Sequence, residues 1–189
     1  MVVAMSRMLG FCQKIPFPAG TLAKASRWAP LPLRFIVGFG FMAHGYAKLA
    51  RGPEAFVAIV HAIGVPAPYV MAWLTIGIEL FGGLAVLLGA FVPVVSLPMA
   101  VVLLVAIFTV HLPFGFTSIK LLAVTAAGPE FGPPGYETDL LYLACLVALV
   151  LGGSGRLTVD RLIASRFAEL TGTTRSIAPH AQVQERELP

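Results

Sequence analysis

The stretch Arg34 to Leu49, RFIVGFGFMAHGYAKL, is long and apolar enough to lie in a bilayer, yet it holds an arginine, a histidine and a lysine. At about 100° per residue, Arg34, Gly38, Phe41, Gly45 and Lys48 fall within one broad helical stripe, with His44 at its edge. His44 and Lys48, four residues apart, are neighbours on adjacent turns. A charge at the centre of a hydrocarbon layer costs on the order of 3 kcal/mol or more. Such groups face a bundle interior or reach the interface by snorkelling. Glycines on the same stripe let another helix come close. This segment therefore demands partner helices.

Composition sets the medium. Of 189 residues, 58% are hydrophobic and only 12% charged, and the mean hydropathy is +0.87. Soluble domains carry about 25% charged residues, so an integral membrane protein is expected. The net charge of +4 does not point to nucleic acid, because the cations gather at the chain ends and form no basic stripe. Cys12 and Cys145 match no C-x-x-C or zinc spacing. No sustained apolar core precedes Pro16, so a cleaved signal peptide is not expected.

The expected fold is all-α: a four-helix transmembrane bundle occupying residues 31–153, with both termini cytoplasmic. Residues 1–30, broken by prolines, form a cytoplasmic tail or interfacial segment. Pro32 suits the first turn of a span over 31–50, about 30 Å long and so matched to the hydrocarbon. Gly52 and Pro53 stop it. Residues 53–66 fit a short amphipathic interfacial helix. Pro66 and Pro68 open a second span, 68–91, with Glu79 near its middle. A short turn leads to the third, 94–112, which ends at His111. The connection 113–137 contains SIKLLAVTAA, read as a second interfacial helix. The fourth span covers 138–153, and 154–189 form a polar cytoplasmic tail. Ten of the 13 Lys and Arg lie in the two tails and at Arg34, as the positive-inside rule requires. The expected location is a cell membrane, crossed several times, with lipid as the first partner. The small residues Gly38, Ala43 and Ala47 leave a homo-oligomer open.

In that orientation His44, Lys48, His111, Glu137 and Asp139 lie in the non-cytoplasmic half, with Glu79 nearer the mid-membrane. Arg34 stands apart at the inner end, where it can snorkel or pair with Asp160. An intramembrane carboxylate marks a functional site by default, and Glu79 is either protonated or paired with Lys48 or His44. Lys48 snorkelling to the interface, and His111 bonding helix-end carbonyls, are the structural alternatives. No pair has the i, i+4 or H-E-x-x-H spacing of a metal site, and no spacing favours haem ligation. No metal is expected.

These residues resemble the DoxX family of small membrane proteins. R-F-I-V-G-F-G-F-M-A-H-G-Y-A-K-L is similar to its opening signature and I-E-L-F-G-G-L-A-V-L-L-G to its second-helix signature, with Glu79 as the matched glutamate. V-H-L-P-F-G-F carries His111; G-Y-E matches at Gly135, Tyr136 and Glu137; G-S-G-R-L-T-V-D closes the motif set at Asp160. The resemblance covers roughly residues 31 to 162. It implies a bacterial inner-membrane subunit of a quinone-linked oxidoreductase, with ubiquinone or menaquinone as ligand and a redox protein as partner. The ligand-binding residues are then His44, Lys48, Glu79, His111, Tyr136 and Glu137. Of these, His44 and His111 would bond the quinone oxygens, and Glu79 would exchange the proton. Two alternatives stand beside this reading: a non-catalytic membrane scaffold for redox or oxidative-stress enzymes, and a small solute or proton transporter.

Overall fold

The computed structural model describes residues 26–170; the expected N-terminal segment lies almost wholly outside them, as does the chain beyond Leu170. Among the described residues are six helices and one β-hairpin. Helix α1 spans Pro30–Ala50 and α2 spans Pro53–Ala62. Helices α3, Pro68–Leu88, and α4, Val92–Phe114, are each long and apolar enough to cross a membrane. The hairpin pairs β1, Leu121–Thr125, with β2, Gly128–Phe131. Helix α5 is Glu137–Gly152 and α6 is Val159–Leu170.

The breaks fall where the backbone requires them. Gly52, at φ +91°, ends α1, and Pro53 starts α2 at a position where a missing N–H costs nothing. Gly89, at φ +69°, terminates α3, and the Ala90 N–H bonds back to the Ala85 carbonyl at 2.8 Å, a left-handed closure suited to glycine. Phe91 also takes a positive φ, of 50°, a strained choice for an aromatic residue. Both Asp160 carboxylate oxygens, at 2.9 and 3.0 Å, accept its N–H and hold the turn.

Helices α1, α3, α4 and α5 pack side by side, with α1 against both α3 and α5 and α4 against both α3 and α5. The α1–α3 crossing is a backbone contact. A Cβ on Gly38 would lie 2.7 Å from the Gly83 carbonyl oxygen, and one on Gly83 equally close to that of Gly38. Gly40 makes room for the Tyr142 hydroxyl from α5 in the same manner. The core beneath comprises Val37, Phe41, Val86, Val92, Met99, Leu103, Leu146 and Leu149. Many large apolar side chains, among them Phe35, Phe81, Leu97 and Phe108, point outward and are exposed, a surface suited to lipid and a liability in water.

One end of this packing is tied by Arg34, which is 3% exposed. Its guanidinium donates to the Val86 and Leu87 carbonyls at the end of α3, at 3.1 and 2.6 Å, and to those of Ser154 and Leu157, at 3.1 and 2.6 Å. The expected pairing with Asp160 is replaced by these carbonyls, because Asp160 is engaged at Phe91. The second correction concerns the 113–137 connection. It holds the hairpin, not a second interfacial helix: Val124 and Thr125 are β-branched, and Thr125 Oγ1 donates to the Gly128 carbonyl and accepts from the Ala127 N–H to form the turn. The 53–66 segment is helical over Pro53–Ala62 as expected, and the polar tail adds a helix, α6, that its composition does not announce.

Candidate functional site

At the end opposite Arg34, a cavity of about 850 Å³ opens among α1, α2, α3, α4 and α5. Its polar lining residues include His44 and Lys48 from α1, Glu79 from α3, His111 from α4, and Asp139 and Tyr142 from α5. Aliphatic and aromatic side chains make up most of the rest, with α2 contributing Phe56, Ile59 and Val60 and the residue after it, Ile63.

An ion pair and a histidine–carboxylate hydrogen bond organise the polar groups. Lys48 Nζ donates to both oxygens of Glu79 at 2.6 Å. The Glu79 side chain is 7% exposed and that of Lys48 21%. The ammonium also sits 4.9 Å from the centre of the Phe56 ring, a distance at which the ring face attracts a cation. This pairing replaces the snorkelling alternative for Lys48. The second pair joins His111 Nδ1 to Asp139 Oδ2 at 2.5 Å; Asp139 is buried, at 7% exposure. The carboxylate occupies Nδ1, so Nε2 is the ring nitrogen left to serve another group. His44 is exposed to the cavity and has no hydrogen-bond partner among the described residues.

Local backbone geometry presents both pairs. Glu79 lies in a π-helical segment, Ile78–Gly82, within α3. His111 ends a second one, Ile107–His111, within α4. A π turn inserts an extra residue and so rotates the helix face that follows; such turns recur at functional sites. Gly45 lets this happen beside Lys48: a Cβ there would meet Leu80 at 2.9 Å and the Glu79 Cβ at 3.1 Å. Pro98, also in the cavity wall, leaves the Val94 carbonyl without its helical donor.

The remaining two residues expected at the site, Tyr136 and Glu137, do not line the cavity. They close the long connection. The Glu137 carboxylate accepts the Ser118 N–H at 3.0 Å, the Tyr136 ring meets Phe116 edge-on, and the Tyr136 and Glu137 N–H groups bond the Gly115 and Phe116 carbonyls. Gly135 is required because a Cβ would collide with three successive carbonyl oxygens. Asp139 and Tyr142 take their place in the cavity. Helical phase is the signal that distinguishes them: Asp139, Tyr142, Leu146 and Leu149 follow the inward face of α5, and Glu137 lies well off it.

The fold and cavity define a small helical protein with membrane-capable helices and an ion-paired, largely apolar cavity. The DoxX family profile matches residues 29–112. Over 133 residues, covering 70% of this chain and 85% of the relative, the sequence is 33% identical to a Bacillus subtilis (strain 168) protein named "Putative oxidoreductase CatD". No solved structure matches the chain. The chain belongs to the DoxX family, a membrane-associated family.

Proposed function

We propose that this chain is a four-span subunit of the bacterial cell membrane, with both termini cytoplasmic, that binds a lipid-soluble quinone and supports electron transfer from a redox partner. The name of the Bacillus subtilis relative supports an oxidoreductase setting. The observation that carries the reading is the cavity into which α1, α3, α4 and α5 each send an ionisable side chain, between walls that are mostly apolar apart from Arg51, Thr75 and Thr109. Small-molecule sites have this character, an apolar enclosure with a few placed polar groups.

The residues fit a quinone head. Lys48 and His44 can donate to carbonyl oxygens, and the aromatic and aliphatic walls suit a flat ring. Converting a bound quinone to the quinol takes two electrons, supplied by the partner, and two protons. The chain's part is to position and to hold protons. Asp139 holds the His111 ring through Nδ1, which leaves Nε2 to exchange a proton with the bound ring, as a general acid or base would. Glu79 holds Lys48 beside the cavity and serves as the second proton-exchanging group.

The test begins with the full chain purified in mild detergent and extracted for quinone. Quinone absorbance is expected in the extract, without a Soret band, together with saturable binding of added quinone. Replacing His44 by Ala or His111 by Gln should weaken that binding roughly tenfold, about 1.4 kcal/mol, and Glu79→Gln should slow quinone reduction in membranes that retain the partner. Wild-type protein that carries no quinone and binds none overturns the reading.

A further inference from the structure

The cavity is not closed on its α3–α4 side. Helix α4 packs chiefly on the inner part of α3, Ile78–Leu88, whereas Pro68–Gly77 packs on α1 and α2. The two helices therefore part on the side of the π segment that leads toward the cavity mouth. Into that gap face Met71, Leu74 and Ile78 from α3 and Leu97, Pro98 and Val101 from α4, all lining the cavity. On the outer surface of the same pair lies a second hollow, of about 360 Å³. Leu74, Ile78 and Pro98 line both hollows, so the two adjoin, with only those three side chains between them. The outer hollow continues past Trp73, Gly77, Phe81 and Val95, none of them charged, and Trp73 and Phe81 are exposed.

We infer that these adjoining hollows together seat the ligand's hydrocarbon tail, which leaves the polar cavity between α3 and α4 by displacing the Leu74, Ile78 and Pro98 side chains and runs out over Gly77 into the lipid. The inference rests on the quinone reading of the cavity and adds what that reading lacks, a route of entry and a preference for a long polyisoprenoid chain. The occupant follows from this adjacency. An outer hollow that adjoins a site holding the Lys48–Glu79 and His111–Asp139 pairs, and is itself without a charged group, suits the apolar part of a molecule whose polar part lies at those pairs. The tail arrives from lipid and not from water, so its gain in the groove comes from packing and confinement. Gly77 is the position that keeps the groove open. It lies in the helix, and a Cβ added there would find nothing within 4 Å, so a larger residue meets the groove before it meets the protein.

A graded series at Gly77 tests this, because alanine or leucine at a helical position with open space brings no backbone strain and raises helix propensity. Wild type, Gly77→Ala, Gly77→Leu and Gly77→Phe are placed in nanodiscs, and binding is measured for a quinone bearing a single isoprene unit and for its long-tailed counterpart. Wild type is expected to prefer the long tail. The Leu and Phe variants should lose affinity for the long-tailed ligand roughly tenfold, Ala less, while affinity for the short-tailed ligand stays within about twofold. Equal losses for both ligands, no loss for either, or a wild type indifferent to tail length (as when a phospholipid chain fills the groove) overturns the inference while leaving the head site intact. Failure of wild type to bind even the short-tailed quinone overturns the functional reading itself. Retained thermal unfolding transitions in the Ala and Leu variants keep the comparison valid if the Phe variant folds poorly.

Discussion

Glu79 and Lys48 are each other's best solvent. Once the carboxylate is buried at 7% side-chain exposure, it depends on the ammonium to remain charged, and removing one partner leaves the other uncompensated. Breaking such a pair costs about 3–5 kcal/mol when both groups are fully buried; the partial exposure of Lys48 places this pair at or below the lower end. Lys48→Met should lower stability by about 2–3 kcal/mol, and adding Glu79→Gln should recover part of the loss. Additive losses in thermal unfolding would mean that the two side chains are not coupled. Arg34 is a different case, a cation held by four carbonyls and no carboxylate. A lysine cannot fork to four acceptors on separate segments, so Arg34→Lys should cost about 2–4 kcal/mol, read by the same unfolding assay. The unusual cost of charge in an apolar chain made Glu79, Lys48 and Arg34 legible from sequence. Their partners were not legible: His44 and Lys48, one turn apart, offered Glu79 two candidate partners, and only the three-dimensional packing shows that Lys48 is the one it meets. Asp139 stands two residues from Glu137 in the sequence, but its place at the cavity needed the phase of α5.

At the scale of the element, helix limits were legible wherever proline and glycine punctuate the chain, as at Gly52–Pro53 and Pro68. The π segments were not. A π turn leaves no compositional trace, since Ile78–Gly82 reads as a continuous apolar helix. The hairpin was missed because a short apolar run with turn residues after it fits an interfacial helix equally well by periodicity. Yet the π turn in α3 carries much of the site. Deleting Phe81, a residue of that turn that is 73% exposed and so little involved in packing, should let α3 close into regular α-helix. The segment before the deletion would then rotate by about 100° relative to the Gly38–Gly83 crossing, carrying Glu79 away from Lys48. Expected are near-wild-type helix content by circular dichroism and loss of binding even of the short-tailed quinone, which does not use the hollow that Phe81 lines; retained binding would show that the turn is incidental. The crossing itself is testable by Gly83→Leu. Its Cβ alone would press within 2.7 Å of a backbone oxygen, which requires the helices to separate, a strain of about 1–3 kcal/mol or more.

For the whole molecule, the two ends of the packed helices differ in chemistry. One gathers Arg34, the Ser154 and Leu157 carbonyls and Asp160 into a tie that involves α1, the α3–α4 turn and the segment leading to α6. The other holds the cavity, α2 and the hairpin. Under the proposed four-span arrangement the cations set the direction of such a chain: ten of the 13 Lys and Arg are Arg34 and the cations of the two tails, and the positive-inside rule would then put the Arg34 end at the cytoplasmic face. The four-span proposal then puts the hairpin and α6 on opposite faces of the bilayer. Two sites are suited to a check, Ala126 in the hairpin turn and Ala164 in α6, both exposed. In a chain whose Cys12 and Cys145 have been replaced by serine, Ala126→Cys should react with a membrane-impermeant thiol reagent in intact cells, after passage through any outer envelope. Ala164→Cys should react only once the membrane is opened. Labelling of both from the same side would require an even number of crossings between them and would remove α5 as a span, even though its 16 residues, at about 1.5 Å each, reach nearly across the hydrocarbon. Reaction of Ala164→Cys alone in intact cells would invert the whole arrangement, placing the cavity mouth at the cytoplasmic face and its protons with the cytoplasm.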